Sequence, residues 1–138
     1  MDDPVSSRPQ RVLIIDDHDG FRSVARRLLE RRGLDVVAEA DSGMSGLQAA
    51  ERVRPDAVLL DVCLPDGDGI DVCRVLTRAH PGLAVLLTSS DDLARRRPEI
   101  VECGAVAVVP KVRLASVDLV ELLRSPQNGA RSGRQETG

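Results

Sequence analysis

Five polar side chains in this chain stand directly behind runs of apolar residues. Asp16 and Asp17 follow one run, and Asp61 follows a second. Thr88 and Lys111 stand behind two later runs. Carboxylates crowded together repel one another, and a hard divalent cation such as Mg²⁺ relieves that repulsion. A hydroxyl and an ammonium beside them would bind the oxygens of a PO₃ group, so the set predicts phosphoryl transfer at a carboxylate.

The apolar runs that carry these residues have the length and composition of buried strands. They are Val12–Ile15, Ala57–Leu60, Leu83–Leu87 and Ala105–Val109, and a further short strand is predicted over Leu34–Ala38. Strand and helix alternate five times, which predicts a parallel sheet with helices on both faces. The carboxyl ends of parallel strands share one edge, where open α/β sheets place their sites. We therefore expect the five polar side chains to meet at that edge.

Local signals predict where the helices begin and end. The predicted caps of the first four helices are Asp19, Ser42, Asp68, and Asp91 or Asp92. Gly33 should end the first helix, because glycine readily adopts the left-handed conformation of a helix terminus. Pro98 predicts a short or irregular fourth helix. A fifth helix is predicted along the apolar positions between Leu114 and Leu123.

The chain of 138 residues has the size of one domain. We predict a flexible arm at residues 1–10 and a single domain at 11–124. The segment 125–138 reads SPQNGARSGRQETG, which is polar and has no apolar periodicity. Such a composition predicts a disordered tail.

Composition excludes several classes of function. Phe21 is the one aromatic residue, so stacking on nucleic-acid bases is excluded as a main binding device. The formal net charge is −3, which argues against non-specific binding of nucleic acid. No apolar run has the length of a membrane span and no signal sequence is visible, so a cytoplasmic location is expected. Cys63, Cys73 and Cys103 form no metal-binding or disulfide pattern and are interpreted as reduced thiols.

The ordered set of residues, together with the segment VLLDVCLPDGDG from Val58 to Gly69, resembles the receiver domain of two-component response regulators. The resemblance covers about Arg11 to Arg124. It implies a five-stranded, doubly wound, flavodoxin-like sheet of order 2-1-3-4-5. It also implies a signalling domain, a single-domain response regulator, that catalyses only its own phosphorylation and dephosphorylation.

The family also implies a role for each site residue. Asp61 would accept the phosphoryl group from the phosphohistidine of a sensor histidine kinase. Asp17 would bind Mg²⁺ directly and Asp16 through water, with Asp61 and the backbone carbonyl of Cys63 as further metal ligands. The remaining two residues, Thr88 and Lys111, would bind phosphoryl oxygens. The other implied partner is a downstream protein. The family implies no binding of nucleic acid through this domain and no binding to a membrane. It also implies that the chain is either a monomer or a phosphorylation-dependent homodimer.

The chain departs from the family at Val108, where receivers usually carry Tyr or Phe. A valine has no ring whose rotation could report phosphorylation. The resemblance further implies a cis peptide bond between Lys111 and Val112. His18, beside the acid pair, is interpreted as a loop or helix-start residue rather than a metal ligand.

Three other functions stay open at this point. One is the receiver part of a DNA-binding transcriptional regulator, and another is a pseudo-receiver that binds a partner without being phosphorylated. The third is a phosphatase of the haloacid-dehalogenase type, which requires a second Asp two residues after its nucleophile. Cys63 occupies that position here, which argues against the phosphatase.

Overall fold

The computed structural model describes residues 8–90 and 93–124. The predicted tail, most of the predicted arm and the predicted helix cap at Asp91 or Asp92 lie outside the described residues. One sheet contains five strands, which are β1 (Arg11–Ile15), β2 (Asp35–Ala40), β3 (Ala57–Asp61), β4 (Ala84–Ser89) and β5 (Ala107–Pro110). All of its pairings are parallel, in the order β2-β1-β3-β4-β5. The predicted flavodoxin-like sheet of order 2-1-3-4-5 is therefore confirmed.

Helices connect the strands in alternation. They are α1 (Asp19–Arg31), α2 (Gly43–Val53), α3 (Gly69–Ala79), α4 (Arg97–Glu102) and α5 (Leu119–Leu122). Short 3₁₀ turns at Ala94–Arg96 and Lys111–Ser116 precede the last two. Across residues 8–90 and 93–124, no helix combines the length and the apolar character needed to pass through a lipid bilayer.

Alternation along the strands divides the core into two apolar layers. Leu13 and Ile15 of β1 belong to a cluster with side chains of α2, α3 and α4. Val12 and Ile14, which alternate with them, belong to a second cluster with side chains of α1 and α5. Successive strand residues point to opposite faces, so a strand buried on both faces must be apolar throughout. Burial on both faces explains why the strands are continuous apolar runs. The two clusters confirm the prediction of helices on both faces of the sheet.

Two of the predicted helix caps are confirmed. The Ser42 hydroxyl accepts from the N–H of Ser45 at 3.1 Å, and the Ser45 hydroxyl accepts from the Ser42 N–H at the same distance. Asp68 Oδ1 accepts from the N–H of Ile70 at 2.9 Å at the start of α3. Each contact satisfies an N–H that the first turn of a helix leaves without a partner.

The prediction that Asp19 caps α1 is wrong. The cap position is His18, whose side chain makes no capping hydrogen bond, and Asp19 is the first helical residue. The Asp19 carboxylate instead accepts from Arg22 one turn along the helix. The ion pair takes the carboxylate away from the backbone N–H groups that it was expected to cap.

The predicted fifth helix between Leu114 and Leu123 is divided in the structure. The guanidinium of Arg32 donates to the carbonyls of Ala115 at 2.8 Å and Val117 at 2.9 Å. A continuous helix would use both carbonyls for its own hydrogen bonds. Asp118 then accepts from the N–H three residues later and starts the short α5. The expectation of a short fourth helix is confirmed, with Pro98 in the first turn of α4.

Candidate functional site

The carboxyl edge of the sheet carries the predicted site residues. Asp16 is the first residue after β1, Asp61 is the last of β3, and Lys111 is the first after β5. Asp61 and Thr88 are register partners in the parallel pair of β3 and β4. The N–H of Val62 donates to the Thr88 carbonyl at 2.9 Å and extends this pairing past the acid. Strand register therefore places Asp61 and Thr88 side by side on neighbouring strands.

Lys111 bridges two of the carboxylates. Its Nζ lies 2.8 Å from Asp16 Oδ2 and 3.2 Å from Asp61 Oδ2, and it donates a hydrogen bond to Asp61. The contact with Asp16 is an ion pair. The ammonium also lies 4.5 Å from the centroid of the Phe21 ring, a cation–π distance. One cation thus holds two strand ends together.

Burial and charge shift the pKa values of this pair. Burial is the largest influence on Lys111 and lowers its pKa, but the Asp16 and Asp61 carboxylates outweigh it and leave that pKa raised. Burial is also the largest influence on Asp61 and raises its pKa. The N–H of Cys63 and the Lys111 ammonium oppose that rise, Asp16 adds to it, and the pKa stays raised. The negative charge of Asp61 is therefore only partly compensated.

Two buried polar atoms have no hydrogen-bond partner among the described residues. They are Asp16 Oδ2 and Thr88 Oγ1, and each side chain is only 1% exposed. A buried polar atom without such a partner costs stability and is rare in folded proteins. The Asp16 oxygen is compensated by its ion pair with Lys111. The Thr88 hydroxyl has no such compensation and is suited to donate to an oxygen of a ligand.

The acidic residues fit the predicted metal ion. Asp16, Asp17, His18 and Asp61 each offer a ligand atom, and these atoms lie within 4.8 Å of one another. Carboxylate oxygens are the donors that Mg²⁺ prefers. The N–H of Cys63 donates to Asp61 Oδ1 at 3.1 Å, which places Cys63 beside the acids. The metal-binding role of its carbonyl stays a prediction.

Two further residues touch the acid pair although the sequence patterns left them outside the site. His18 Nδ1 lies 3.2 Å from Asp16 Oδ1 and 3.3 Å from Asp17 Oδ1. Arg22 Nη1 donates to the Asp16 carbonyl at 2.6 Å, and its Nε donates to Glu39 at 3.0 Å. The position of His18 directly after the two acids was the available signal. Nothing local in the sequence indicated the contact of Arg22.

The loop that follows Asp61 is attached to α2. Its segments Cys63–Leu64 and Gly67–Asp68 pair as a short antiparallel ladder. Between them, the Asp66 carboxylate accepts from the first two N–H groups of α2 at 2.7 and 2.9 Å. These N–H groups lower the pKa of Asp66 below its usual value. The loop is thereby fixed at a helix that is remote in the sequence.

A cavity of about 830 Å³ adjoins Asp61. Its lining includes the acidic residues Asp17, Asp61 and Asp68, the basic residues Arg95 and Arg96, and His18. Carboxylates and cationic groups thus share one solvent-accessible space. Its volume is ample for a phosphoryl group together with a hydrated cation.

Val108 is partly buried and packs against the core cluster on the α2, α3 and α4 side of the sheet. It occupies the position where the resemblance implied Tyr or Phe, whose ring rotation would report phosphorylation. The prediction of a cis peptide bond between Lys111 and Val112 is wrong, because all peptide bonds of the described residues are trans.

Comparisons with known proteins show which proteins this chain is similar to. A putative transcriptional regulator of Pseudomonas aeruginosa is 37% identical over 101 residues, covering 73% of this chain and 49% of the relative. The response regulator GacA of Pseudomonas viridiflava is 36% identical over 102 residues, covering 73% and 48%. The crystal structure of a LuxR-family two-component response regulator from Aurantimonas sp. has a TM-score of 0.75 at 26% identity. That likeness covers 93% of this chain and 99% of the other.

This chain spans about half the length of these two curated relatives. The family model described as the response regulator receiver domain matches residues 12–124. The matched region contains all the predicted site residues, from Asp16 at the end of β1 to Lys111 after β5. The chain therefore belongs to the family of response regulator receiver domains.

Proposed function

We propose that Asp61 accepts a phosphoryl group from the phosphohistidine of a sensor histidine kinase. The phosphorylated chain then binds a downstream protein differently from the unphosphorylated one. The observation that carries this proposal is a carboxylate, 2% exposed, that lies 3.2 Å from the Lys111 ammonium. Its register partner is Thr88, whose hydroxyl has no hydrogen-bond partner among the described residues.

In the proposed transfer, an oxygen of the Asp61 carboxylate attacks phosphorus. The bond between phosphorus and the histidine nitrogen breaks, and the imidazole leaves with that electron pair. Phosphoryl transfer needs little covalent chemistry from the protein, so positioning and charge stabilisation supply most of the catalysis. The parallel register of β3 and β4 supplies the positioning.

Lys111 and Thr88 would bind the oxygens of the transferred group. The Lys111 ammonium has three N–H donors and already reaches Asp61. The Thr88 hydroxyl can donate to a phosphoryl oxygen without breaking a hydrogen bond made within residues 8–90 and 93–124. Both groups would therefore act where negative charge develops.

Asp16, Asp17 and Asp61 would hold Mg²⁺, with the Cys63 carbonyl as a further ligand. When bound, the ion would supply neutralising charge to the transferring group. The chain keeps the carboxylates ready for it, because Lys111 holds Asp16 and Asp61 together.

An acyl phosphate, a small phosphodonor, tests this function when it is incubated with the chain and Mg²⁺. Intact mass spectrometry should detect one added phosphoryl group. The adduct should depend on Mg²⁺ and should be absent from Asp61→Asn, because the amide lacks the nucleophilic oxygen. Failure to label the wild type, or equal labelling of the variant, would refute the proposal.

A constitutive binding module is the alternative that Val108 favours, since this residue cannot perform the ring rotation. It requires a downstream partner that binds equally well with and without the phosphodonor, and equally well to Asp61→Asn. The phosphoacceptor proposal requires the opposite, a partner affinity that changes with the phosphodonor in the wild type and not in the variant.

A third candidate function is the receiver part of a DNA-binding transcriptional regulator. It is favoured by the relative named as a putative transcriptional regulator, of which this chain covers 49%. An uninterrupted reading frame past Gly138 that encodes a DNA-binding domain would support it. The phosphorylation chemistry proposed for Asp61 would be the same in both cases.

A further inference from the structure

Arg96 lies at the same cavity as Asp61, although no sequence pattern gave it a function. Its Nη2 donates to Asp68 Oδ2 at 2.7 Å, and its Nε donates to Glu99 Oε1 at 2.6 Å. Arg96, Asp68 and Asp61 all line the cavity of about 830 Å³. The Arg96 side chain is 35% exposed, so its movement is not blocked by core packing.

Asp68 holds this guanidinium from a fixed position. Its Oδ1 caps α3 through the N–H of Ile70, and its backbone pairs with Cys63 in the short ladder after Asp61. Burial would raise the pKa of Asp68, but Arg96 and the Ile70 N–H outweigh it and leave that pKa lowered. The ion pair thus joins the loop behind the acceptor to the 3₁₀ turn that leads into α4.

We propose that Arg96 leaves Asp68 when Asp61 is phosphorylated and becomes a second cationic ligand of the phosphoryl group. This inference rests on the function proposed above. Phosphorylation replaces the single negative charge of the Asp61 carboxylate with the roughly two charges of a phosphoryl group. This group lies beside Lys111, which is already shared between two carboxylates. The planar guanidinium offers paired N–H donors that match phosphoryl oxygens, and a group of higher charge competes well against one carboxylate.

The exchange would give phosphorylation a route to α4. Arg96 is the last residue of the 3₁₀ turn directly before α4, so movement of its side chain bears on the start of that helix. Release of Asp68 would break the ion pair between this turn and the start of α3. Such a route does not require an aromatic ring at Val108.

Beryllofluoride, an inorganic analogue of the phosphoryl group, tests the inference. It is titrated with Mg²⁺ into the full chain by isothermal calorimetry, which suits a chain without Trp or Tyr. Arg96→Gln should weaken binding about fivefold, and Arg96→Lys should fall between the variant and the wild type. Arg97→Gln is the matched control. It removes the same charge from the next residue in the chain, whose side chain does not line that cavity.

Replacement of Asp68 should have the opposite effect. Asn caps a helix about as well as Asp, so Asp68→Asn keeps the start of α3 and removes the charge that holds Arg96. We expect binding about threefold tighter, and the double variant with Arg96→Gln should lose that gain. If Asp68→Asn only made the cavity less negative, its gain would persist in the double variant, and that result would overturn the inference.

The possible failures are distinguishable. If the wild type binds beryllofluoride and Arg96→Gln binds it equally well, Arg96 is only a structural link, and the proposed function still stands. If the wild type does not bind it at all, the proposed function fails and the inference fails with it. Far-UV circular dichroism verifies the fold of each variant, and Arg96→Lys provides the comparison if Arg96→Gln does not fold.

Discussion

Asp16, Asp61 and Thr88 are polar side chains with exposed fractions of 1 to 2%, at strand ends whose preceding residues are apolar and buried. Apolar side chains of similar volume would cost less at such positions, because a buried polar atom needs compensation. Lys111 compensates the two acids in part. At the scale of the residue, the site therefore lowers the stability of the ligand-free protein.

Thr88→Val should stabilise the ligand-free chain. The change keeps the branched shape and removes a hydroxyl that has no hydrogen-bond partner among residues 8–90 and 93–124. The free energy of unfolding should rise by about 1 kcal/mol, while labelling of Asp61 by an acyl phosphate should become slower. Urea denaturation followed by far-UV circular dichroism measures the first effect. A less stable variant that is labelled at the wild-type rate would contradict both expectations.

Asp61→Asn should also stabilise the chain at neutral pH, by about 1 kcal/mol. The pKa of Asp61 is raised by burial, so the folded state holds this proton more tightly than the unfolded state. Stability is then lost as the pH rises from the unfolded pKa of about 3.9 through the folded pKa. The gain of the variant should therefore be present at pH 7 and vanish below about pH 4. Denaturation at both pH values measures it, and a gain that is independent of pH would exclude this cause.

The positions of the acids, the hydroxyl and the lysine could be predicted, because each follows an apolar strand and parallel strands end at one edge. Their proposed roles await experiment. The contacts of His18 with the acid pair and of Phe21 with Lys111 could not be predicted. They depend on how the loop after β1 and the start of α1 pack beside the end of β5, which no local pattern records.

At the scale of the element, α3 approaches the end of β3 too closely for a side chain. A Cβ on Gly69 would overlap the Asp61 carbonyl oxygen and lie 2.7 Å from Val62 Cα. The Gly69 N–H also donates to the Val62 carbonyl at 2.6 Å. The absence of a side chain at this glycine lets the helix pack against the acceptor strand.

Gly69→Ala should therefore destabilise the chain by about 3 kcal/mol and reduce phosphorylation of Asp61, because backbone must move. Gly20→Ala is the matched control. A Cβ there meets no neighbouring side chain or packed element within 4 Å, and the residue is the second of α1. The control should gain about 0.5 to 1 kcal/mol. Thermal denaturation of both variants measures the difference, and similar changes in the two would contradict the packing explanation.

The helix starts that could be predicted from the sequence were those capped by residues close by in the chain. Ser42 and Asp68 bond to N–H groups two or three residues away, so their types and positions carry the signal. The division of the fifth helix was not predictable. It depends on Arg32, whose guanidinium reaches carbonyls more than eighty residues later in the chain.

At the scale of the whole molecule, the strand order places the site. The chain winds from β1 outward to β2, then crosses to β3 and continues to β4 and β5. Ligands of open α/β sheets bind outside the strand ends where this direction changes, which here lies between β1 and β3. Asp16 and Asp61 stand at those two strand ends. Alternation of strands and helices was sufficient to predict this arrangement.

Mg²⁺ should raise the thermal stability of the folded chain, because the unfolded chain cannot hold the acids together. A concentration a hundredfold above the dissociation constant should add about 2.7 kcal/mol to the free energy of unfolding. Asp17→Asn should lose most of this gain, whereas Asp35→Asn, at the amino end of β2, should keep it. Thermal denaturation with and without MgCl₂ measures both. An equal response of the two variants would exclude the acid cluster as the metal site.

The proposed function depends most on one residue, since three carboxylates share the edge and Asp61 alone is proposed as the acceptor. Borohydride reduces an acyl phosphate to an alcohol, which marks the side chain that carried the phosphoryl group. After treatment with an acyl phosphate and Mg²⁺, then borohydride, peptide mass spectrometry should locate the mark at Asp61. A mark at Asp16 or Asp17, or no mark in a chain that remains folded, would contradict the proposed role of Asp61.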